Sequence, residues 1–485
     1  MPAPYPNIAL QRRRPLRRLA PALGALLAVA LSVPASAGAA STFYIRGGGD
    51  GHGIGLSQYG AYGYALHGKD YRFILGHYYQ GTELGSTDPS RRVRVLLATG
   101  AASFSQATRA GNTRLDPGTT YEVQASGSSL TIKTTAGRTV GRFPAPLTVS
   151  GPGPLVDPAL GSYRGSFVFR PDGAGGVETV DMLGLDDYVR GVISAEMPSS
   201  WSAEALKAQA VAARTYAITT SVGGAGFDLY SDTRSQMYTG VSAETASTDA
   251  AVAATRGQVV TFNGAPAVTY FFSSSGGHTE NIQDVWPGST PEPWLVGVSD
   301  PYDGAGGDPY HQWTYQLSLP EATAKLSGLV KGMLRGIQVT SHGSSPRILT
   351  AAVVGSAART SVSGASLQSI FGLPTTYASF TTISTVAGRP SQLPTLGGTV
   401  FPAPRNRSVA VQSQTRRGWR TVEQAPVVAG GSYSVRLLTP GRYRVLYNGL
   451  AGPALNVDFA TLSSRPARAP RLSTLSARFP APIAR

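Results

Sequence analysis

Hydrophobic positions along this chain change period several times, and each change marks an element. Residues 42–46 read as a short strand. From 92 to 181 apolar and polar residues alternate in Val93-Arg94-Val95-Leu96-Leu97, Tyr121-Glu122-Val123, Leu130-Thr131-Ile132, Ser166-Phe167-Val168-Phe169 and Glu178-Thr179-Val180. Gly, Pro and Asp punctuate them, so the pattern predicts a β-rich insertion at about 90–180. The period then lengthens: Leu185, Val189, Val192 and Glu196 follow at steps of four, three and four, one face of a helix. Pro198 disfavours a helical Met197, which predicts an end at about Glu196. Ser202 is a candidate N-cap for a second helix, 203 to about 220, with Glu204 in its first turn. Residues 257–262 and 267–272 read as strands around the turn Asn263-Gly264, and 337–339 and 348–354 as further strands. The unit closes at Phe371-Gly372-Leu373-Pro374. Residues 385–402, rich in Gly, Pro, Ser and Thr, read as a linker to a small β-sandwich-like module at 403–460. The Ala-, Pro- and Arg-rich residues 461–485 read as a disordered tail. The expected fold class is α+β.

Glu196 is the unusual residue in this pattern, an acid on an apolar helix face. Desolvation disfavours its charged form, and the partial negative charge of a helix C-terminus pushes the same way, so the carboxyl is expected to hold a proton near neutrality. The other reading is structural, a Glu paired with an arginine such as Arg214 or capping a nearby backbone group. A second unusual stretch runs from Gly47 to Ala61, with six glycines in the nine positions 47–55. Such density implies special φ values or close approach to the main chain. It lacks the Gly-Lys-Ser/Thr of a phosphate-binding loop. A helix should start near Ser57, and its Tyr59, Tyr62 and Leu66, with Tyr71, Phe73, Ile74 and Tyr78 beyond, read mostly as core.

Length and composition narrow the class. At 485 residues two or three domains are expected, and 58 Gly with 35 Pro against 14% charged residues argues against a helical bundle. Arg12, Arg13, Arg14, Arg17 and Arg18 precede an apolar run from 19 to 33 and then Ala35-Ser36-Ala37, which reads as a signal peptide, residues 1–37. The chain is therefore expected to be secreted, with no stable membrane span after cleavage. Removing those five arginines from a net charge of +15 leaves about +10. A secreted basic protein meets anionic wall polymers, and no nucleic-acid-binding signature competes with that partner. There are no cysteines, and the six histidines show no zinc-site spacing, so neither a metal nor a cofactor is expected.

Leu185-Asp186-Asp187-Tyr188, Gly191-Val192, Glu196-Met197-Pro198, Trp201 and the run from Glu204 to Ala217 together resemble the signature of the SpoIID/LytB family, the stage II sporulation protein D type. Gly51 to Ala61, Ser274-Ser275-Gly276-Gly277-His278-Thr279 with Asp284-Val285-Trp286, and Val362-Ser363-Gly364 leading to Phe371-Gly372-Leu373 resemble the same family. The resemblance spans roughly 43–380, within a domain expected at 41–384. In better-known members the Gly-His-Gly segment lies near the C-terminal end of the domain; here it precedes the Glu segment, an order compatible with one site if the domain is permuted. In 229–238 some relatives carry cysteines that help bind a metal; this chain has serines.

The resemblance implies a β-rich catalytic domain with a helix pair around the catalytic Glu. It implies a peptidoglycan lytic transglycosylase, which cuts between N-acetylmuramic acid and N-acetylglucosamine and leaves a 1,6-anhydro end, with Glu196 as its acid. A single carboxyl suits that chemistry because the sugar's own 6-hydroxyl attacks. His52, Ser57 and Gln58 are candidates for sugar hydrogen bonds, Ser274, Ser275 and His278 for the next rim of the cleft. Gln209 and Arg214 are five residues apart on the second helix, so one of them should brace the fold. The competing reading is a wall-binding protein that stimulates a partner amidase without catalysis, and a third is an adhesin that uses the C-terminal module.

Overall fold

A computed structural model describes residues 40–457 except 89, 388–394 and 404–406. The expected signal peptide and C-terminal tail lie outside these residues. The architecture is mixed α+β with strands dominant. No helix among the described residues is long and apolar enough to cross a membrane.

The β-rich part forms as a seven-stranded sheet in which Arg92–Gly100 pairs with Val177–Gly184, and that strand with Ser166–Pro171. Val93, Val95, Phe167, Phe169 and Leu183 point from alternate positions into the core. Val177–Gly184 runs without a break into a helix at Leu185. The helices around the site are, in chain order, α1 Gln58–Leu66, α2 Tyr71–Tyr78, α3 Leu185–Glu196, α4 Ala203–Thr219 and α5 Ala246–Ala254. Two helix ends fall where the sequence placed them: α1 starts just after Ser57, whose hydroxyl accepts from Gly60 N–H, and α3 stops at Glu196 with an extended Met197. Leu185, Val189 and Val192 are buried on one face of α3. α4 packs against α1, α2, α3, α5 and the strand Gln258–Phe262. It is buried nearly all round, which suits its run of alanines, since small side chains let several helices approach at once. Of the aromatic face read from sequence, Tyr71, Ile74 and Tyr78 are core, while Leu66 and Phe73 are exposed.

The hairpin read at 257–272 is shorter than expected. Asn263 and Gly264 take positive φ as a two-residue turn requires, but of the residues after the turn only Ala265–Pro266 pairs with Gln258–Phe262, whose other edge is taken by Glu83–Ser86. Phe271–Phe272 instead pairs in parallel with Leu56–Ser57, which ties the Gly-rich loop to the polar loop after 272.

The strand Ala40–Gly47 lies inside a five-stranded antiparallel sheet ordered Trp313–Ser318, Ala40–Gly47, Ala378–Ala387, Thr395–Phe401, Ser432–Arg436. Its period of two serves two cores. Phe43 and Ile45 join Ile337, Val353, Leu367 and Phe371 on one side, and Tyr44 joins Ile383, Leu396, Val409, Val411 and Val445 on the other. Residues 395–401, read as part of a linker, are therefore a strand. Their glycines have a packing reason: a Cβ at Gly398 would collide with the Ser384 carbonyl and the Tyr433 hydroxyl. The C-terminal strands Ser408–Thr415, Gly418–Pro426 and Gly441–Tyr447 form their own sheet, but the region is not self-contained, because Tyr44 donates to the Ala451 carbonyl (2.7 Å) and Tyr433 to the Ser384 carbonyl (2.7 Å).

Leu396 is fully buried in that shared core. Leu396→Ala is expected to lower stability by about 2–5 kcal/mol in urea unfolding, the range for a buried leucine. A loss below about 0.5 kcal/mol, typical of a surface position, would return the segment to a linker.

Candidate active site around Glu196

α3 delivers Glu196 half-buried at its last position, where its own helix has no donor left to offer the side chain. Two distant segments supply donors instead. Met237 N–H donates to Oε1 at 2.8 Å, and the Gln58 amide donates to Oε2 at 3.3 Å. Burial raises the Glu196 pKa above the usual carboxylate value, while the bonds from Met237 and Gln58 draw it back down. Burial prevails, and the net shift is upward. The reordered Gly-rich loop thus does fold back to Glu196, through the first residue of α1.

The segment that carries Met237 is pinned on both sides. Tyr188 on α3 donates to Gln236 Oε1 (2.8 Å), and Gln236 donates to the Ala213 carbonyl on α4 (3.3 Å). Tyr238 donates to Asp181 Oδ2 at 2.7 Å. None of these was found from sequence, although Gln236-Met237-Tyr238 belongs to the stretch singled out there for its missing cysteines. Trp201, five residues after Glu196 in the chain, stacks on Tyr62 with ring centres 4.6 Å apart and 4° between planes, and meets Tyr59 edge-on at 4.8 Å. All three rings are half-buried.

The other expected site residues are placed differently. His52 sits against Phe272 and Trp286, with Nδ1 accepting from Ile54 N–H at 3.0 Å. Burial, aided by the Arg347 guanidinium, lowers its pKa to about 4, so it is neutral with the proton on Nε2. Arg347 is itself buried under the loop, where its guanidinium occupies the space a side chain at Gly53 would need, and Gly53 has φ +92°. Ser57, Ser274 and Ser275 are fully buried and form no rim. Ser57 and Ser274 donate to Asp303 at 2.9 and 3.0 Å, and Ser275 donates to Asp300 at 2.8 Å. The sequence signal for these partners was the spacing Asp300, Asp303, Asp308, His311. Burial raises Asp300 to about 7 and Asp308 to about 6, so the cluster carries less than its formal charge at neutral pH. Ligand atoms of Asp303, Asp308 and His311 lie within 4.8 Å of one another, close enough to share a cation, but serine hydroxyls, backbone N–H groups and His311 already bond these carboxylates. His278 is half-buried with its Nδ1 on the Thr279 carbonyl (2.7 Å).

Gln209 and Arg214 are both fully buried on α4, so neither lines an open cleft. The Gln209 amide has no hydrogen-bond partner among the described residues. Arg214 braces the fold: its Nε donates to Asp186 at 2.7 Å and its Nη1 to the Gln258 carbonyl at 3.1 Å. The structural reading that paired Glu196 with Arg214 is thereby replaced by the pair Arg214–Asp186.

Residues 173–262, which hold α3, α4 and the Met237 segment, match the family described as SpoIID, stage II sporulation protein. That segment carries a SpoIID match, and the curated relatives named for stage II sporulation protein D and for an amidase enhancer support the SpoIID/LytB family. It is 33% identical over 196 residues to stage II sporulation protein D of Bacillus subtilis, covering 37% of this chain and 56% of that protein. It is 41% identical over 143 residues to the amidase enhancer of the same organism, covering 30% of this chain and 19% of that one. An uncharacterised protein of Brachyspira hyodysenteriae is 38% identical over 168 residues, 34% of this chain and 44% of the other. The chain thus spans about half or less of the length of these curated relatives. Gln58 lies outside the SpoIID match, so its contact with Glu196 joins a second segment to the family's own helices.

Asp181 gives the site a pH test. Burial raises its pKa to about 8, against the pull of the Tyr238 hydroxyl and Arg92. An unfolded Asp titrates near ~3.9, so the folded state keeps a proton that the unfolded chain loses. This group's contribution is most favourable below about pH 4 and declines as pH rises to about 8. Asp181→Asn keeps an acceptor for Tyr238 and removes that decline. Unfolding measured at pH 5 and pH 8 is expected to show the variant gaining on the parent at the higher pH, and an equal difference at both would show that Asp181 is charged in the fold.

Proposed function

We propose that this protein is a secreted peptidoglycan lytic transglycosylase with Glu196 as its single acid and base. The observation that carries the reading is the half-buried carboxyl held between Met237 N–H at 2.8 Å and the Gln58 amide at 3.3 Å, with its pKa raised by burial. Protonated Glu196 gives its proton to the glycosidic oxygen as the bond from the N-acetylmuramic acid anomeric carbon breaks. N-acetylglucosamine leaves with that oxygen as a hydroxyl. The 6-hydroxyl of the same muramic acid residue then bonds to the anomeric carbon, and its proton returns to the Glu196 carboxylate, so no water is consumed and no second carboxylate is needed. The two donors stabilise the carboxylate during the interval in which it is charged. Trp201, with Tyr59 and Tyr62, offers flat apolar surface of the kind that sugar rings pack on.

A second reading has specific support in the 41% identity to an amidase enhancer. In that reading the protein binds the wall and stimulates a separate amidase, and the carboxyl at position 196 is not chemically required.

Glu196→Gln separates the two. On purified glycan strands, with and without stem peptides, mass spectrometry is expected to find 1,6-anhydro products with the parent and a loss of about 10²–10⁴-fold with the variant. No product from either substrate, with amidase stimulation surviving in Glu196→Gln, would establish the stimulator. A further variant, Gln58→Leu, removes a bond that lowers the Glu196 pKa. The basic limb of its pH–rate profile is therefore expected to move to higher pH, and a shift in the other direction would mean that Gln58 does not act on the carboxyl.

A further inference from the structure

The positive charge of this chain is not spread over it. Residues 40–394 hold 24 basic and 25 acidic side chains, whereas residues 395–457 hold eight arginines, one glutamate and no lysine or aspartate. The part around Glu196 is close to neutral, and beyond the expected signal peptide the excess falls in residues 395–457 and in residues 458–485, which hold five arginines and one aspartate. Charge asymmetry of this kind between parts of a chain reports on partners rather than on fold.

The sheet presents that charge in an ordered way. Tyr443, Val445 and Tyr447 face the core, which turns Arg442 and Arg444 to the opposite face, two residues apart on one strand and therefore about 7 Å from each other along it. Each is held by an amide and not by an acid: Arg444 donates to Gln412 Oε1 at 2.8 Å, and Arg442 to Gln414 Oε1 at 3.3 Å. The Arg444 guanidinium lies over the Trp419 ring at 4.3 Å. Arg416, Arg417 and Arg420 are exposed at the adjoining hairpin, where they line a shallow pocket with Trp419. None of the ion pairs among the described residues involves an arginine of this sheet. Guanidinium groups fixed by neutral partners keep their full charge and leave N–H donors free in the planar array that suits phosphate oxygens.

We infer that the face formed by Arg416, Arg417, Arg420, Trp419, Arg442 and Arg444 docks a phosphodiester-linked polyol phosphate polymer of the cell wall. Spaced cations along a strand match a linear polymer with one negative charge per repeat. Trp419 supplies apolar area for the uncharged part of the repeat. Nucleic acid shares the phosphodiester, but the face offers one aromatic ring where a single strand would be met by a series of stacking platforms. The choice of a wall polymer rests on the cell-wall reading above; the polyanion-binding face does not.

The test uses the full chain and poly(glycerol phosphate) as the probe, with binding measured over a range of salt concentrations. The parent is expected to bind with an affinity that falls as salt rises, and Arg416→Gln/Arg417→Gln/Arg442→Gln to bind about tenfold more weakly with a shallower salt dependence. The matching substitution of Arg109, Arg114 and Arg142, exposed arginines of the β-rich part, is expected to leave binding unchanged. Should the glutamine variant melt early, Arg416→Lys/Arg417→Lys/Arg442→Lys decides, since it is expected to keep the salt dependence of the parent. No binding by the parent, equal binding by a folded glutamine variant, a lysine variant without salt dependence, or DNA displacing poly(glycerol phosphate) at equal phosphate concentration would each overturn the proposal. Cleavage of soluble glycan strands is expected to be the same for parent and glutamine variant, and Glu196→Gln to bind the polymer normally, so failure of the docking face and failure of the transglycosylase reading give different results.

Discussion

A carboxyl taken out of water at the end of a helix must find hydrogen bonds elsewhere, and much of the arrangement around Glu196 follows from that need. Its donors come from 41 and 138 residues away in sequence, so two separate segments have to be held still. Tyr188, Gln236, Tyr238 and Asp181 hold one of them with hydrogen bonds. The turn that precedes Met237 is closed by its own side chains: Ser235 accepts from Tyr230 N–H at 3.1 Å, and Arg234 both pairs with Asp232 and lies over the Tyr230 ring at 3.7 Å.

The other segment is held by close packing. Gly53 leaves room for the buried Arg347, which donates to the Gly51 carbonyl, and Gly55 leaves room for the Tyr270 carbonyl. Glu280 compensates the Arg347 charge: burial alone would raise its pKa, but the hydroxyls and N–H groups of Ser344 and Ser345 hold it below the usual value. The Ser57 hydroxyl then serves two ends at once, capping α1 and donating to Asp303. Moving Ser57 would displace the start of the helix on which Gln58 reaches Glu196.

What could be read from sequence was what depends on neighbours in sequence. The face of α3, its end before Pro198, the Ser202 cap of α4 and the Asn263-Gly264 turn are set within a few residues, and each is found. Glu196 and Gln58 were both singled out by motifs, Gln58 as a candidate for sugar hydrogen bonds, while its bond to the Glu196 carboxyl depends on a fold contact that no motif records. The partners of Ser57, Ser274 and Ser275 lie 25–246 residues away, and a serine in a Gly-rich loop looks the same whether it meets a sugar or a buried aspartate. Glycine was ambiguous in the same way at Gly398, where the composition of a linker and the requirement of a crowded strand coincide. Arg214 could have paired with an acid at either end of α3, and the fold sets it on Asp186 at the start and not on Glu196 at the end.

The separation of charge along the chain bears on the acid as well. No cation is among the groups that set the Glu196 pKa; burial raises it, and two neutral donors oppose that rise. An arginine beside the carboxyl would stabilise its charged form and empty it of the proton that general-acid chemistry needs. The proposed docking of a polyanion is therefore compatible with the raised pKa of Glu196 when the arginines that serve it lie on a separate sheet. Beyond about 8 Å at physiological salt their field is largely screened, so the two requirements can be met in one chain without either setting the other.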